Sequence, residues 1–197
     1  MRIRRRPLAV LLDRDGVINF DSPDYILSPD QWQPIPGSLE AITRLTRAGL
    51  AVAIVSNQSA LARGMMSQDA FNSIHAKMML AIEQAGGFIA HVAYCPHGPD
   101  DHCRCRKPEP GMVLDTLQAL GLKNQPQATL FIGDSIRDVQ AAHAAGVPAM
   151  LVQSGYGNAA AILDKSRSLQ PDIQSYADLS EAVDVLLQEI PQDGPEC

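Results

Sequence analysis

Residues 8–19 read Leu-Ala-Val-Leu-Leu-Asp-Arg-Asp-Gly-Val-Ile-Asn, and this stretch decides the fold. The five apolar residues 8–12 lack helical spacing, which predicts a strand buried on both faces of a parallel sheet. Asp13, Asp15 and Gly16 follow directly, at the edge of the sheet where open α/β folds bind ligands. This arrangement suits a nucleophile at Asp13 and a separate proton donor and acceptor at Asp15. An acidic turn that ends a strand is the alternative.

The composition fits one α/β domain. The chain has 197 residues, of which 46% are hydrophobic and 5% aromatic, as is typical of helices rich in Ala, Leu and Val packed on a sheet. The formal charge of −6 argues against nucleic-acid binding, because no excess of basic residues neutralises phosphates. No apolar run reaches the roughly 20 residues that span a bilayer, and the basic start lacks the apolar core of a signal peptide. We therefore expect a cytoplasmic monomer without membrane contacts.

Strands and helices alternate along the rest of the chain, which predicts a doubly wound, mostly parallel sheet with right-handed connections. Short apolar runs predict further strands at 50–55, 89–94, 128–132 and 149–152. Apolar residues at helical spacing and glycine stops predict helices at 38–48, 67–85, 112–120, 136–145 and 179–190, with a short helix after the Gly-rich loop 154–158. The predicted domain covers residues 1–190, and residues 191–197 are predicted to form a loose tail.

Two long loops are expected to form the walls of the substrate site, because no stretch is long enough for a large cap domain. The first, at 19–36, contains four prolines that prevent a regular helix. A loop of this length beside a site is more often substrate-facing than idle. Its candidate substrate-binding residues are Asp21, Asp24 and Tyr25. The second loop begins at Cys95.

Polar residues follow several of the predicted strands, and a parallel sheet brings these strand ends to one edge. Asp13 and Asp134 are then close enough to share a cation, and carboxylates without thiol or imidazole favour Mg²⁺. Ser56 offers a hydroxyl, and its neighbours offer backbone N–H groups, to a phosphoryl oxygen. Lys107 would bring a positive charge to the same group. A polar turn at Ser56 and a solvated surface lysine at Lys107 are the alternatives.

The second loop contains a Cys-x-His…Cys-x-Cys pattern formed by Cys95, His97, Cys103 and Cys105. Three thiolates and one imidazole would close a tetrahedral zinc site with no open position, which is a structural rather than a catalytic site. A group of reduced cysteines in a loop is the alternative. His102 is a spare candidate ligand, and Cys197 is predicted to be a free thiol.

Arg106 and Lys107 directly follow Cys105, the last zinc ligand, so zinc would fix where these two cationic side chains point. These side chains would supply a local positive field that the acidic chain otherwise lacks. Further cations that could contribute are Arg14, Arg63 and Arg104.

Four motifs in this order resemble the haloacid-dehalogenase-type phosphatases. They are Asp-x-Asp-Gly-Val at 13–17, Ser-Asn at 56–57, Lys-Pro at 107–108 and Gly-Asp-x-x-x-Asp at 133–138. The resemblance covers nearly the whole chain and implies a Rossmann-like haloacid-dehalogenase fold. It implies that Asp13 attacks phosphorus to form a phospho-aspartate. It also implies that Asp15 protonates the leaving alkoxide and then deprotonates the water that frees the enzyme.

The same resemblance implies a metal site and a phosphate site. The implied Mg²⁺ ligands are Asp13, the backbone carbonyl of Asp15, and Asp134. Ser56 and Lys107 would hold the transferring phosphoryl group. Asp138 would support either the metal or Lys107.

Longer motifs narrow the resemblance to the D-glycero-D-manno-heptose-1,7-bisphosphate 7-phosphatases, which are cytoplasmic enzymes of lipopolysaccharide synthesis. These motifs are Asp-Arg-Asp-Gly-Val-Ile-Asn, Ser-Asn-Gln-Ser-x-Leu-Ala-Arg-Gly and Cys-Pro-His…Cys-x-Cys-Arg-Lys-Pro-x-Pro-Gly-Met. They imply a phosphorylated sugar substrate, and the two cations after the zinc loop, Arg106 and Lys107, together with Arg63 suit a second phosphate. The residues of these motifs expected to contact substrate are Ser56, Asn57, Gln58, Ser59, Arg63, Arg106 and Lys107. The histidinol-phosphate phosphatases share the zinc loop and are the alternative.

Two rivals from other classes remain. A phosphorylation-receiver domain also combines a doubly wound sheet with Mg²⁺, an acceptor Asp and a Lys, but it lacks an acid two residues after the acceptor. A zinc-stabilised binding protein with an inactive site is the second rival. The complete set of polar residues at the strand ends argues against it.

Overall fold

The structure, a computed structural model, describes residues 6–189 and consists of a sheet between two layers of helices. The strands are β1 (Ala9–Leu12), β2 (Ala51–Asn57), β3 (His91–Cys95), β4 (Thr129–Gly133), β5 (Ala149–Val152) and β6 (Ser175–Tyr176). The helices are α1 (Ser38–Arg47), α2 (Gln68–Gln84), α3 (Gly111–Ala119), α4 (Ile136–Ala144), α5 (Ala159–Arg167) and α6 (Leu179–Glu189). Single turns of 3-10 helix lie at Pro29–Gln31, Pro99–Asp101 and Pro126–Ala128. Residues 1–5 of the basic start and the predicted tail with Cys197 lie outside the described residues.

The sheet has the strand order β3-β2-β1-β4-β5-β6, and every neighbouring pair is parallel. The prediction of a doubly wound α/β fold is therefore confirmed. Because the order changes direction between β1 and β4, the crevice of such a sheet opens at the carboxyl ends of these two strands. Asp13 donates its backbone N–H to the Ile132 carbonyl at 3.1 Å, so the residues after β1 and β4 begin side by side.

Both faces of β1 are buried, which explains its unbroken apolar run. Val10 and Leu12 pack in one core with residues of α1, α2 and α6. Ala9 and Leu11 pack in a second core with residues of α3, α4 and α5 on the opposite face. Helices on both faces cover a parallel sheet, so its strands do not alternate between apolar and polar residues. None of the helices between residues 6 and 189 is long and apolar enough to cross a membrane.

The ends of four predicted strands differ from the structure by one or two residues, and the structure has one further strand. β2 continues to Asn57 instead of residue 55, because Ser56 and Asn57 pair with Tyr94 and Cys95 of β3 in the parallel ladder. β3 accordingly begins at His91 and ends on Cys95. β6 was not predicted, since two residues are too few to give a hydrophobic pattern.

The loop 19–36 is irregular apart from one 3-10 turn, as predicted, and it is anchored on α2. Trp32 is 1% exposed and holds the loop in the core. Lys77 donates to the carbonyls of Pro29 at 2.6 Å and Trp32 at 3.1 Å, and its ammonium lies 5.8 Å from the Trp32 ring centroid. The second long connection, 96–110, likewise forms no separate cap domain within the described chain.

Candidate active site and zinc loop

Lys107 connects two carboxylates at the carboxyl edge of the sheet. Its ammonium lies 2.8 Å from Asp13 and 2.6 Å from Asp138, and it donates to the Val55 carbonyl at 2.8 Å. These three acceptors match the three N–H groups of a lysine ammonium. Burial opposes the charge on Lys107, but the two carboxylates raise its pKa above the ordinary value. The side chain is 2% exposed, so Lys107 is not a solvated surface lysine.

Asp138 fixes the position of the Lys107 ammonium. One of its oxygens contacts Lys107, and the other accepts hydrogen bonds from the Ser135 backbone N–H at 3.0 Å and from the Ser135 hydroxyl at 2.7 Å. Burial opposes ionisation, but Lys107 and Ser135 lower the pKa of Asp138 below its ordinary value. Because the Asp138 side chain is only 1% exposed, against 14% for Asp13, the geometry favours support of Lys107 over direct binding of a metal.

Asp13 and Asp134 form the oxygen-rich part of the site. Ligand atoms of these two carboxylates and Asp138 lie within 4.8 Å of one another. Burial raises the pKa of Asp13 to about 7, even though Lys107 lowers it. Burial, together with the Asp138 and Asp13 carboxylates, raises the pKa of Asp134 to about 8. Two neighbouring carboxylates that resist ionisation fit a divalent cation, and an all-oxygen donor set fits Mg²⁺.

Two glycines let the backbone approach the Asp134 carboxylate. A Cβ at Gly155 would lie 1.9 Å from Asp134 Oδ2, and a Cβ at Gly16, where φ is +78°, would lie 2.6 Å from the same atom. The Ser154 hydroxyl donates to the Gly16 carbonyl at 2.6 Å. The Gly-rich loop after β5 therefore packs against the metal-binding edge, a role that the sequence pattern did not indicate.

Asp15 is held as a carboxylate by three side chains. Arg14 donates to it through Nε at 3.0 Å and Nη2 at 2.8 Å, Asn19 donates at 2.8 Å and Gln58 at 3.1 Å. Burial opposes ionisation, but Arg14 and the hydrogen bonds from Asn19 and Gln58 lower the pKa of Asp15. Arg14, one of the cations expected to contribute to a local positive field, is 4% exposed and paired with Asp15. The contribution of Asn19 was not predicted.

The end of β2 supplies both lining and supporting groups. Ser56 lines the cavity, and its hydroxyl accepts from Gln58 at 2.9 Å. Asn57 exchanges two hydrogen bonds of 3.0 Å with the backbone of Lys107, one in each direction. Ser59 also lines the cavity. Ser56 and Asn57 belong to β2 and contact Gln58 and Lys107, so they do not form an isolated polar turn.

The polar groups face a cavity of about 470 Å³. The predicted site residues that line it are Asp13, Asp15, Asp21, Tyr25, Ser56, Asn57, Ser59, Arg63, Arg106, Lys107, Asp134 and Asp138. Gln58 is buried behind this surface, and Asp24 is exposed outside it. Arg137 and Tyr156 also line the cavity but were not predicted. Arg137 lies within the Gly-Asp-x-x-x-Asp motif and Tyr156 within the Gly-rich loop. Neither sequence pattern indicates that these two side chains face the cavity.

The loop 19–36 contributes an acid and an aromatic ring to the cavity wall. Burial and the Asp15 carboxylate raise the pKa of Asp21 to about 6. Tyr25 has a φ of +65°, a left-handed conformation that is costly for a bulky residue. The Arg63 guanidinium carbon lies 6.0 Å from the Tyr25 ring centroid, within cation–π range.

The four predicted zinc ligands converge. The three Sγ atoms of Cys95, Cys103 and Cys105 lie 3.3–3.5 Å apart, and His97 Nδ1 lies 3.4 Å from Cys95 and 3.3 Å from Cys105. A Zn–S distance of about 2.3 Å corresponds to a tetrahedral edge of about 3.8 Å, so this donor set fits a closed zinc site after a small expansion. His102 is not a member of the cluster.

The loop that carries the four candidate zinc ligands is linked to two cations that line the cavity. Arg106 donates to the His97 carbonyl at 3.0 Å, and Lys107 follows two residues after Cys105. Arg104 points elsewhere, because it is exposed and pairs with Asp115 at 2.9 Å. Arg106 and Lys107 are thus the cations that the cluster positions at the cavity.

Comparisons with known proteins agree with this geometry. The family model of the haloacid dehalogenase-like hydrolases matches residues 7–146. The D-glycero-beta-D-manno-heptose-1,7-bisphosphate 7-phosphatase of Bordetella bronchiseptica is 49% identical over 150 residues, which are 75% of this chain and 82% of that protein. The Pseudomonas aeruginosa enzyme of the same name is 41% identical over 179 residues, covering 91% and 97% of the two chains.

Solved structures give the same result. The crystal structure of D,D-heptose 1,7-bisphosphate phosphatase from B. bronchiseptica, complexed with magnesium and phosphate, superposes with a TM-score of 0.85 at 43% identity. The match covers 92% of this chain and 99% of that one. The corresponding phosphatase from Burkholderia thailandensis has a TM-score of 0.67 at 34% identity and covers 91% and 97%.

Proposed function

The chain belongs to the haloacid dehalogenase-like hydrolases, and we propose that it is a Mg²⁺-dependent phosphatase that removes the 7-phosphate of D-glycero-D-manno-heptose 1,7-bisphosphate. The observation that carries the proposal is the convergence of Asp13, Asp15, Ser56, Lys107 and Asp134 on one cavity. The names of the relatives specify the sugar, and the chain spans most of their length. The enzyme would be a phosphoric monoester hydrolase in the synthesis of ADP-heptose for lipopolysaccharide.

In the first half of the reaction, an Asp13 oxygen attacks phosphorus and forms an acyl phosphate. The bond between phosphorus and the sugar oxygen breaks, and the sugar oxygen keeps the electron pair of this bond. Asp15 donates a proton to that oxygen. Ser56 and Lys107 would hold the phosphoryl oxygens in this step. The contacts of Lys107 support this role, because its charge is fixed beside Asp13.

Asp15 must gain a proton before it can donate one. In the free site its neighbours favour the carboxylate, above all Arg14. The phosphate dianion adds negative charge to the cavity, which raises the pKa of Asp15 as substrate enters. We infer that Asp15 takes up its proton together with substrate.

In the second half, Asp15 accepts a proton from a water molecule. The water oxygen attacks phosphorus, the acyl P–O bond breaks, and the Asp13 carboxylate and inorganic phosphate are released. Asp15 is left protonated, and it loses this proton after phosphate leaves, because its neighbours in the free site favour the carboxylate.

Asp13, Asp134 and the backbone carbonyl of Asp15 would hold Mg²⁺, which when bound screens the repulsion between an anionic nucleophile and an anionic phosphate. A structural zinc ion would be held by Cys95, His97, Cys103 and Cys105. Asp138 would act through Lys107, as its contacts with Lys107 and Ser135 support.

The non-reacting part of the substrate would contact the two long loops. Arg63 and Arg106 suit the second phosphate, and Asp21 and Tyr25 suit the sugar. Asp24 lies outside the cavity lining, so we propose that it contacts only the outermost part of the substrate. We further propose that the enzyme acts in the cytoplasm as a monomer that binds neither nucleic acid nor membranes. A dimer in light scattering would contradict the monomer.

A comparison of kcat/KM for heptose 1,7-bisphosphate and histidinol phosphate tests the substrate. We expect a preference of at least about 100-fold for the bisphosphate, because a second phosphate adds charge-assisted hydrogen bonds. The reverse preference would make the chain a histidinol-phosphate phosphatase. No phosphate release from either compound with Mg²⁺ would favour the zinc-stabilised binding protein.

Two variants test the mechanism. The Asp13→Asn protein should lose turnover and acyl-phosphate trapping. The Asp15→Ala protein should bind Mg²⁺ but turn over at least about 100-fold more slowly. Turnover at the wild-type rate in both variants would contradict the mechanism, whereas a stable acyl phosphate in wild-type protein would favour the receiver domain.

A further inference from the structure

One large side chain of the active-site cavity has no role in the proposed mechanism. Tyr156 lies in the Gly-rich loop after β5, lines the cavity and is 66% exposed. Single exposed aromatic residues are common, so exposure by itself says little. The position of Tyr156 in the cavity and the fixed backbone of its loop are the features that indicate a role.

The loop is fixed on both sides of Tyr156. Before it, the Ser154 hydroxyl donates to the Gly16 carbonyl at 2.6 Å, and Gly155 packs so closely on Asp134 that a Cβ would lie 1.9 Å from the carboxylate oxygen. After it, the Asn158 side chain caps α5 by accepting from the Ala161 N–H at 3.0 Å. Tyr156 therefore projects from a backbone that is held against the catalytic carboxylates.

An apolar side chain, Ile162, lies beside the loop that carries Tyr156, in a cavity that is otherwise lined mostly by polar and charged residues. A Cβ at Gly157 would approach the Ile162 side chain to 2.8 Å, so the missing side chain lets Ile162 pack close to the loop. Ile162 also lines the cavity. Charged side chains such as Asp21 and Arg137 line other parts of it. A sugar phosphate likewise has a charged part, the phosphate, and a less polar part, the C–H groups of its carbon skeleton.

Resting on the proposed function, we propose that Tyr156 is a specificity-determining residue whose ring packs against the C–H face of the sugar that carries the reacting phosphate. A tyrosine ring offers a large amphipathic surface with two side-chain torsions, so ordering it costs little entropy. The contact requires the ring and not the hydroxyl, to which no described residue is hydrogen-bonded. It distinguishes substrates with an extended carbon skeleton from small phosphate compounds.

The test compares Tyr156→Ala, Tyr156→Phe and the matched control Phe88→Ala. Phe88 is 65% exposed, almost the same as Tyr156, but it does not line the cavity. Steady-state kinetics with Mg²⁺ would use heptose 1,7-bisphosphate and acetyl phosphate, which has no sugar. Inhibition by inorganic phosphate and thermal unfolding would be measured for every variant.

We expect Tyr156→Ala to raise KM for the heptose bisphosphate about tenfold with kcat changed less than about twofold. KM for acetyl phosphate, inhibition by phosphate and the melting temperature should not change. Tyr156→Phe and Phe88→Ala should behave like wild type. An unchanged KM for the heptose bisphosphate in Tyr156→Ala, or an equal rise for acetyl phosphate, would overturn the proposal.

The outcome separates this inference from the proposed function. If wild-type protein hydrolyses acetyl phosphate but not the heptose bisphosphate, the proposed function fails and the role of Tyr156 in it fails too. If wild-type protein hydrolyses both and Tyr156→Ala retains its KM, only the role of Tyr156 is wrong.

Discussion

Lys107 and Asp138 form an ion pair of 2.6 Å in which the two side chains are 2% and 1% exposed. Such a buried pair adds little net stability compared with apolar residues, but the loss of one partner leaves an uncompensated charge. The pair therefore serves to fix the ammonium beside Asp13, and Asp138 is the residue through which this can be tested.

Asp138→Asn keeps the shape of the side chain and removes its charge. We expect the free energy of unfolding to fall by about 3 kcal/mol and kcat to fall at least about tenfold, since Lys107 loses one of its two anionic partners. Urea unfolding and steady-state kinetics measure both. The control is Asp115→Asn, which breaks an exposed pair with Arg104 and should change stability by less than about 1 kcal/mol. Equal losses in the two variants would contradict the role of Asp138.

The raised pKa values of Asp13 and Asp134, about 7 and about 8, make stability depend on pH and metal. A carboxyl whose pKa is higher in the folded state stabilises the fold below its unfolded pKa of 3.8, and this contribution is lost as pH rises through the folded value. Without Mg²⁺, the contribution of these groups should therefore decrease from about pH 4 to about pH 8.

Mg²⁺ should reverse that loss, because the cation stabilises the ionised pair. We expect the increase in melting temperature at saturating Mg²⁺ to be larger at about pH 8.5 than at about pH 6, where protons compete with the cation. Thermal unfolding with and without Mg²⁺ across this range measures the difference. The same increase at both pH values would show that these carboxyls do not bind the ion.

Arg14→Gln should change the pH dependence of turnover. Arg14 lowers the pKa of Asp15, so its removal raises that pKa and keeps the acid protonated to higher pH. We expect the basic limb of the pH–kcat profile for the sugar phosphate to move to higher pH. With p-nitrophenyl phosphate, whose leaving group needs no proton, the basic limb should not move. The acidic limb should move to higher pH with both substrates, because Asp15 accepts a proton from water in the second half of either reaction. A shift towards lower pH for the sugar phosphate would contradict this.

Cys105→Ser should remove one zinc ligand and loosen the loop that carries Arg106 and Lys107. Wild-type protein should contain about one zinc per chain, and the variant markedly less. We expect faster proteolysis between residues 95 and 105 and a fall in kcat/KM of at least about tenfold. Cys197→Ser is the matched control and should retain zinc and activity. Wild-type protein made without chelator and found free of zinc would refute the zinc site.

Gly155→Ala should displace the Asp134 carboxylate, because the added methyl would lie 1.9 Å from its oxygen. We expect the dissociation constant for Mg²⁺ to rise about tenfold or more, measured by titration calorimetry. Gly98→Ala offers a comparison, since its added methyl meets Asp101 at an ordinary 3.6 Å. If Gly155→Ala binds Mg²⁺ like wild type, the close packing has no role in placing Asp134.

The sequence predicted those parts of the site that follow from strand ends and ligand type. Asp13 and Asp134 could be placed together because parallel strands end at one edge. The four candidate zinc ligands could be predicted because three thiols and an imidazole are uncommon in one short loop. The partners of Asp15 could not be found in this way, since Asn19 and Gln58 reach it through the path of two separate loops. Tyr156 was missed for the same reason, because no local pattern shows that its loop returns to β1.

The position of β4 beside β1 has a consequence for the newly made chain. Translation produces Asp13, Asp15, Ser56 and Lys107 well before Asp134, and β4 must pair with β1 before that last carboxylate arrives. A nascent chain that ends in α3 thus carries most of the reactive groups but lacks Asp134, and pairings between distant strands form late. Hydrolysis by this protein consequently begins only after β4 has been made and has paired with β1.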